Sequence, residues 1–297
     1  MIECYEGGMT RSASRLPPEA HLGRIVITVA DLDEVLAFYR DVVGLETVRR
    51  NEARASLGTD DEPLVVARED GDAPERGPNA AGLFHCAFRV PSRAALGDAL
   101  LRIRDRWTLD GASDHRVSEA LYCSDSEGNG VEIYRDKPRD AWPIAADGSV
   151  RMDTLPLDLD DLAADAGSRT NAPNGTTIGH VHLEVSSLAG ATAFYAGAIG
   201  LTARQEWGDS ALFLAAGDYH HHVGLNTWQG RSEPASGRGL AWFELVVPDA
   251  GAVAAVRERA DAAGADVTPT DDGIEVLDPD GMAVRVRPAR ANTTGRG

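Results

Sequence analysis

Alternating apolar residues at Ile25, Ile27 and Val29 mark a half-buried strand, after which Leu32, Val35, Leu36, Tyr39 and Val43 follow helical spacing. Asp31 with Glu34 resembles a capping box at the entry to that helix, and Gly44 ends it. The same strand, helix and stop return at a constant offset of 156 residues, which aligns Val29 with Val185, Leu32 with Leu188, Phe38-Tyr39 with Phe194-Tyr195 and Gly44-Leu45 with Gly200-Leu201. A weaker pair covers 83–103 and 240–260, each an apolar strand closing on Val-Pro, at Val90-Pro91 and Val247-Pro248, followed by a helical stretch. These two copies end in hairpins around the Gly128 and Gly281 turns. Four strand-helix-strands units result, two in residues 21–137 and two in 178–290. Residues 138–177, rich in Asp, Ala, Pro and Gly, read as a linker with one short helix at 159–164, while 1–20 and 291–297 read as flexible tails.

A length of 297 residues suits two domains of ordinary size. The formal net charge of -18, from 47 acidic against 29 basic residues, makes nucleic acid and anionic membranes poor partners. Lys137 is the sole lysine, and so acidic and lysine-poor a surface fits a halophilic cytoplasm or an arginine-rich proteome of ordinary acidity. Cys4, Cys86 and Cys123 are odd in number and lack paired spacing, which argues against a disulfide framework and for a reducing compartment. No apolar stretch reaches membrane-spanning length and no signal-peptide region is evident, so a cytoplasmic protein is expected; a homo-oligomer is left open.

The chemistry-bearing residues fall in four blocks. They are Gly82-Leu83-Phe84-His85-Cys86-Ala87-Phe88, residues 114–134 with His115, Tyr122 and Glu132, Ile178-Gly179-His180-Val181-His182-Leu183, and Tyr219-His220-His221-His222-Val223-Gly224-Leu225-Asn226-Thr227-Trp228. Two histidines with one carboxylate form a ligand set that holds non-haem Fe(II) and leaves coordination positions open. Burying Glu132 between Val131 and Ile133 without a cation would be costly.

Four βαβββ units in tandem resemble the vicinal oxygen chelate superfamily, which includes glyoxalase I, bleomycin-resistance proteins and extradiol dioxygenases. Within it the four blocks are most similar to the catechol 2,3-dioxygenase group. The resemblance implies an α+β fold of four βαβββ vicinal-oxygen-chelate modules forming two cup-shaped mixed-sheet barrels. It implies a metal held from the first strand of a unit and by a glutamate on its last strand, hence His85, His180 and Glu132 as ligands to Fe(II), with Mn(II) accepted by the same set. The equivalent first-strand positions are Arg24 in unit one and Trp242 in unit four, and Arg285 replaces the glutamate of unit four. Only units two and three together supply three ligands, so unit two is expected to pack against unit three, leaving one and four as a metal-free companion cup. Tyr122 and His115 match substrate-contacting residues of extradiol enzymes. His221, with Gly224 as the small residue of the family's His-x-x-small pattern, matches the acid-base group, with His222 as the alternative. Ser126 and Ser113 depart from the extradiol pattern at turn and flank positions. The implied reaction inserts both atoms of O2 into a catechol-type aromatic substrate beside its diol. A glyoxalase-type isomerase or lyase and a non-catalytic small-molecule-binding protein are the rival readings; the ligand triad speaks against the latter.

Overall fold

The computed structural model describes residues 15–167 and 171–290. The first unit comprises β1 (His21–Val29), α1 (Leu32–Phe38), β2 (Glu46–Arg50), β3 (Arg54–Thr59) and β4 (Glu62–Glu69). The second comprises β5 (Gly82–Arg89), α2 (Arg93–Arg106), β6 (Gly111–Asp114), β7 (Ser118–Ser124) and β8 (Gly130–Asp136). The connection between the halves carries β9 (Leu155–Pro156) and α3 (Leu159–Ala164). The third unit has β10 (Thr177–Glu184), α4 (Leu188–Thr192), β11 (Thr202–Trp207), β12 (Ala211–Ala215) and β13 (Val223–Asn226). The fourth has β14 (Gly239–Val247), α5 (Ala250–Ala262), β15 (Val267–Pro269), β16 (Ile274–Leu277) and β17 (Ala283–Pro288). This is the α+β architecture of four βαβββ units.

Each helix begins at a side-chain cap: Asp31, Ser92, Asp158, Ser187 and Asp249 accept from backbone N–H groups of the first turn, which would otherwise lack partners. Helical spacing predicts one α-helix through Val43, but the structure widens its end into π-helical turns, Tyr39–Val43 and, in the third unit, Ala193–Ile199. The amides of both Gly44 and Leu45 reach the Tyr39 carbonyl, and those of Gly200 and Leu201 reach Tyr195. The buried tyrosine at each turn donates its hydroxyl to the hairpin aspartate of the next unit, Tyr39 to Asp125 at 3.5 Å and Tyr195 to Asp278 at 3.0 Å.

The strands form two mixed sheets, each drawing one unit from each half. Units two and three make the nine-stranded sheet β11-β12-β13-β10-β5-β8-β7-β6-β9, joined by antiparallel β5 and β10. Units one and four make the eight-stranded sheet β15-β16-β17-β14-β1-β4-β3-β2, joined by β1 and β14. The main apolar core runs through all four units and includes Phe38, Tyr39, Phe88, Tyr195 and Phe243.

Two stretches are more ordered than the sequence suggests. Residues 15–20, read as tail, pack onto the third unit: Leu16 and Ala20 are buried, and the Leu16 amide donates to Gly200 at 2.9 Å. Residues 1–14, with Cys4, and the 291–297 tail lie outside the described residues. The connection is more than a spacer, since β9 pairs with β6 and Arg93 of α2 ties Asp161 and Asp165 to Glu119 of β7.

Candidate metal centre and active site

Register brings three ligand types to one point. Ala87 on β5 is opposite Glu132 on parallel β8 and opposite His180 on antiparallel β10, and His85, two residues from Ala87, shares its face. The alanine leaves room above it for the three longer side chains. His85 Nε2 and His180 Nε2 are 3.3 Å apart, and each lies 3.0 Å from Glu132 Oε2. Three donors at about 2.1 Å from one ion and at right angles to each other stand about 3.0 Å apart, so this triangle matches one face of an octahedron. Among the described residues it is the one group of three whose ligand atoms lie within 4.8 Å of one another.

The charge balance also fits a cation. Burial pushes Glu132 toward protonation, but His180 and His85 outweigh it and hold the carboxyl well below its usual range. Burial pushes His180 down to about 4 although Glu132 pulls the other way. An ion pair would need a protonated imidazole, and burial makes the neutral form the one to accept here. With His180 neutral, the buried Glu132 carboxylate carries a negative charge that a divalent cation would neutralise.

Tyr122, on β7 opposite Glu132, and His115 stand beside this triangle. The Tyr122 hydroxyl is 2.7 Å from His115 Nε2, and His115 Nδ1 is 2.6 Å from the Asp153 carbonyl. A carbonyl only accepts, so Nδ1 carries the hydrogen and Nε2 accepts from Tyr122. The connecting segment thus sets the orientation of a site residue, which sequence reasoning missed because a backbone carbonyl leaves no residue signature. Lys137 fastens the neighbouring Asp114 at 2.6 Å.

The histidine run lies outside any strand, with residues 219–222 forming a bend that precedes β13. His221 lines the cavity with its ring 4.0 Å from that of His180. Burial, then the surrounding histidines, hold it well below the ordinary histidine range. His222 points elsewhere, its Nδ1 accepting from the Ala216 amide at 3.2 Å. His182 lines the cavity from the position opposite His85, and burial likewise depresses it. Gly224 is paired with His182, and a Cβ there would sit 2.8 Å from its ring, which is why the position takes the smallest residue. His21 is exposed.

These groups open on one cavity of about 470 Å³ walled by Phe84, Phe213, Trp207, Trp228 and Val131. The aromatic walls come from four separate elements and carry no shared spacing, so the sequence alone did not reveal them. In the companion cup Arg24 pairs with Glu244 at 2.8 Å and Arg285 stacks on Trp242 at 4.1 Å, so side chains of opposite charge and an indole take the place of ligands.

A family model described as the Glyoxalase/Bleomycin resistance protein/Dioxygenase superfamily matches residues 21–133 and 177–286. The chain is 37% identical over 271 residues to the catechol-2,3-dioxygenase of Bacillus subtilis (strain 168), covering 88% of this chain and 94% of that one. It is 30% identical over 159 residues to biphenyl-2,3-diol 1,2-dioxygenase 3 of Rhodococcus globerulus, covering 51% of this chain and 84% of that one. In fold it is similar to glyoxalase I from Zea mays, with a TM-score of 0.58 at 16% identity over 91% of this chain and 92% of that one.

Proposed function

The chain belongs to the Glyoxalase/Bleomycin resistance protein/Dioxygenase superfamily, and from that premise we propose that it is an extradiol dioxygenase that opens a catechol-type ring with O2. The carrying observation is the His85, His180 and Glu132 triangle facing one aromatic-walled cavity together with Tyr122, His115 and His221. Likeness to the Bacillus subtilis catechol-2,3-dioxygenase over most of both chains supports the same reading. His85, His180 and Glu132 would hold Fe(II), with Mn(II) acceptable to the same donors. When bound, the metal supplies open coordination positions and a redox-active centre at which a catechol and dioxygen can meet.

The chain's own residues supply the rest. Phe84, Phe213 and Trp228 offer an apolar slot for a flat ring, and exclude water from it. His221 is kept neutral by burial, so it can take a proton from a catechol hydroxyl and later return one to an oxygen of the opening ring. Tyr122 stays a hydrogen-bond donor, because burial and then Glu132 push its hydroxyl well above the usual range. Its one hydrogen goes to His115 Nε2 in this structure, so to steady a substrate oxygen and the charge that develops there Tyr122 would exchange that bond for one to the substrate. The product expected from cleavage beside the diol is a muconic semialdehyde.

The test is anaerobic reconstitution with Fe(II), followed by catechol and air. Oxygen uptake with a yellow product absorbing in the near ultraviolet to blue is the expected result. Turnover of a hemithioacetal without oxygen would replace this reading by that of a glyoxalase-type isomerase, for which a fourth protein ligand would be expected beside the three described here.

A further inference from the structure

A histidine that is to accept a proton must present a bare nitrogen, and which of its two nitrogens is bare depends on what the other one touches. His221 Nδ1 lies 2.7 Å from His220 Nδ1, while its Nε2 has no hydrogen-bond partner among the described residues and the ring lines the cavity. His220 is fully buried, and its far nitrogen, Nε2, is 2.9 Å from Asp136 Oδ1. We propose that Asp136 and His220 are positioning residues that hold His221 in the Nδ1–H tautomer, with Nε2 bare toward the substrate. The proposal rests on the ring-cleavage reading for its purpose, but not for its geometry.

Hydrogen-bond direction carries the argument. Asp136 sits among donors: the Tyr219 hydroxyl at 3.0 Å and 3.2 Å from its two oxygens, and Arg89 at 3.5 Å. Tyr219 gives its one hydrogen to Asp136 and therefore accepts from Tyr134, 2.8 Å away. A carboxylate in such surroundings accepts, so the hydrogen between it and His220 belongs to His220 Nε2. With its single ring hydrogen at Nε2, His220 presents a lone pair at Nδ1, and the hydrogen in the 2.7 Å contact then comes from His221 Nδ1. The order of groups, carboxylate to imidazole to acting imidazole, extends by one ring the way a buried aspartate selects the tautomer of a catalytic histidine. Packing keeps the intermediate ring in plane, with Tyr219 at 4.1 Å on one contact and Trp142 at 5.1 Å on another. Asp136 lies four residues beyond Glu132 at the end of β8, so one strand carries both a candidate ligand and this anchor.

Two readouts test the proposal. In the full chain, labelled with 15N at histidine and kept metal-free, the His221 ring, assigned by loss of its signals in His221→Gln, should show Nδ1 protonated and Nε2 bare. In the Fe(II)-loaded protein His220→Phe keeps ring volume but removes the acceptor, and should lower kcat by about 100-fold with KM and metal content little changed. His220→Asn, whose carbonyl can stand where Nδ1 stood, should recover at least about 10-fold of that loss. A His221 ring protonated at Nε2 in the parent chain overturns the proposal, as does a His220→Phe enzyme turning over within about twofold of the parent. Should His220→Phe not fold, the parent-chain spectrum still decides the tautomer, and Asp136→Asn, which should mix the two tautomers, repeats the comparison. A parent chain that cleaves no catechol sinks the ring-cleavage reading but leaves the spectrum to judge the tautomer.

Discussion

At the scale of single residues, the site separates groups whose type sufficed to single them out from groups defined only by their surroundings. His85, Glu132 and His180 could be singled out because the family resemblance puts ligands on the first strand of a unit and a glutamate on its last, and because burying Glu132 without a cation would be costly. Tyr122 depends on context: its hydroxyl faces His115, which in turn is held by the Asp153 carbonyl. Tyr122→Phe removes the hydroxyl that, on the ring-cleavage reading, would pass its hydrogen bond from His115 to a substrate oxygen, while His85, His180 and Glu132 keep their donor atoms. It should lower kcat by about 100-fold while metal content stays stoichiometric, as measured by oxygen uptake and elemental analysis of one sample. His222 provides a test of stability. Burial, then His220, hold its folded value at about 3, far below the ordinary histidine range, so as pH falls the unfolded chain takes up this proton first. Its contribution is complete above the unfolded value near 6.5 and is lost progressively toward 3, at up to about 1.4 kcal/mol per pH unit. His222→Asn keeps an acceptor for the Ala216 amide but cannot be protonated. Between pH 6 and pH 5 the parent chain should lose about 1 kcal/mol more than this variant in urea unfolding, and equal slopes would refute the assignment.

At the scale of elements, the repeat was legible because alternation, caps and stops are local, and two copies of a unit keep them in register even when few residues are identical. Pairing of unit two with unit three followed from counting where ligand types fall, and the β5–β10 seam has that pairing. The π-helical ends were not legible, since one residue more per turn leaves the apolar spacing of Leu36, Tyr39 and Val43 almost unchanged. In the connecting segment α3 was legible and stands at the expected 159–164, but β9 was not, since it is two residues long and is held by pairing with β6, not by propensity. The seam itself invites a test at Gly179, next to His180. A Cβ there would lie 1.7 Å from the Tyr134 hydroxyl, a distance no side-chain rotation of an alanine can relieve. Gly179→Ala should therefore cost more than about 2 kcal/mol in chemical denaturation, as an overpacked core position does. Removing the hydroxyl should return part of it, so Gly179→Ala with Tyr134→Phe should be less unstable than the two separate losses sum to. Simple additivity would mean that the two side chains do not compete for this space.

At the scale of the whole molecule, the halves are not independent bodies, because each sheet closes only when both contribute. A chain ending after Gly167 keeps β9 on β6 and α3 on α2, but leaves β1 without β14 and β5 without β10. Two strands buried in the intact molecule would then become open edges, with unpaired N–H and C=O groups along apolar runs. The same cut divides the candidate ligands, with His85 and Glu132 on one piece and His180 on the other. Two donors hold a divalent ion far less firmly than three, and the missing imidazole takes with it the wall that keeps water from Glu132. Repulsion within a chain of net charge -18 also resists joining the pieces at low salt, so association should tighten as salt rises to physiological strength. Expressed alone, either piece should be aggregation-prone and bind less than a tenth of an equivalent of Fe(II), on the order expected for an incomplete ligand set. Expressed together, they should co-purify as a one-to-one pair that binds close to one equivalent, measured by elemental analysis after gel filtration. A first piece that alone held the metal as firmly as the intact chain would show that His180 is not a ligand, and the centre would have to be sought within units one and two.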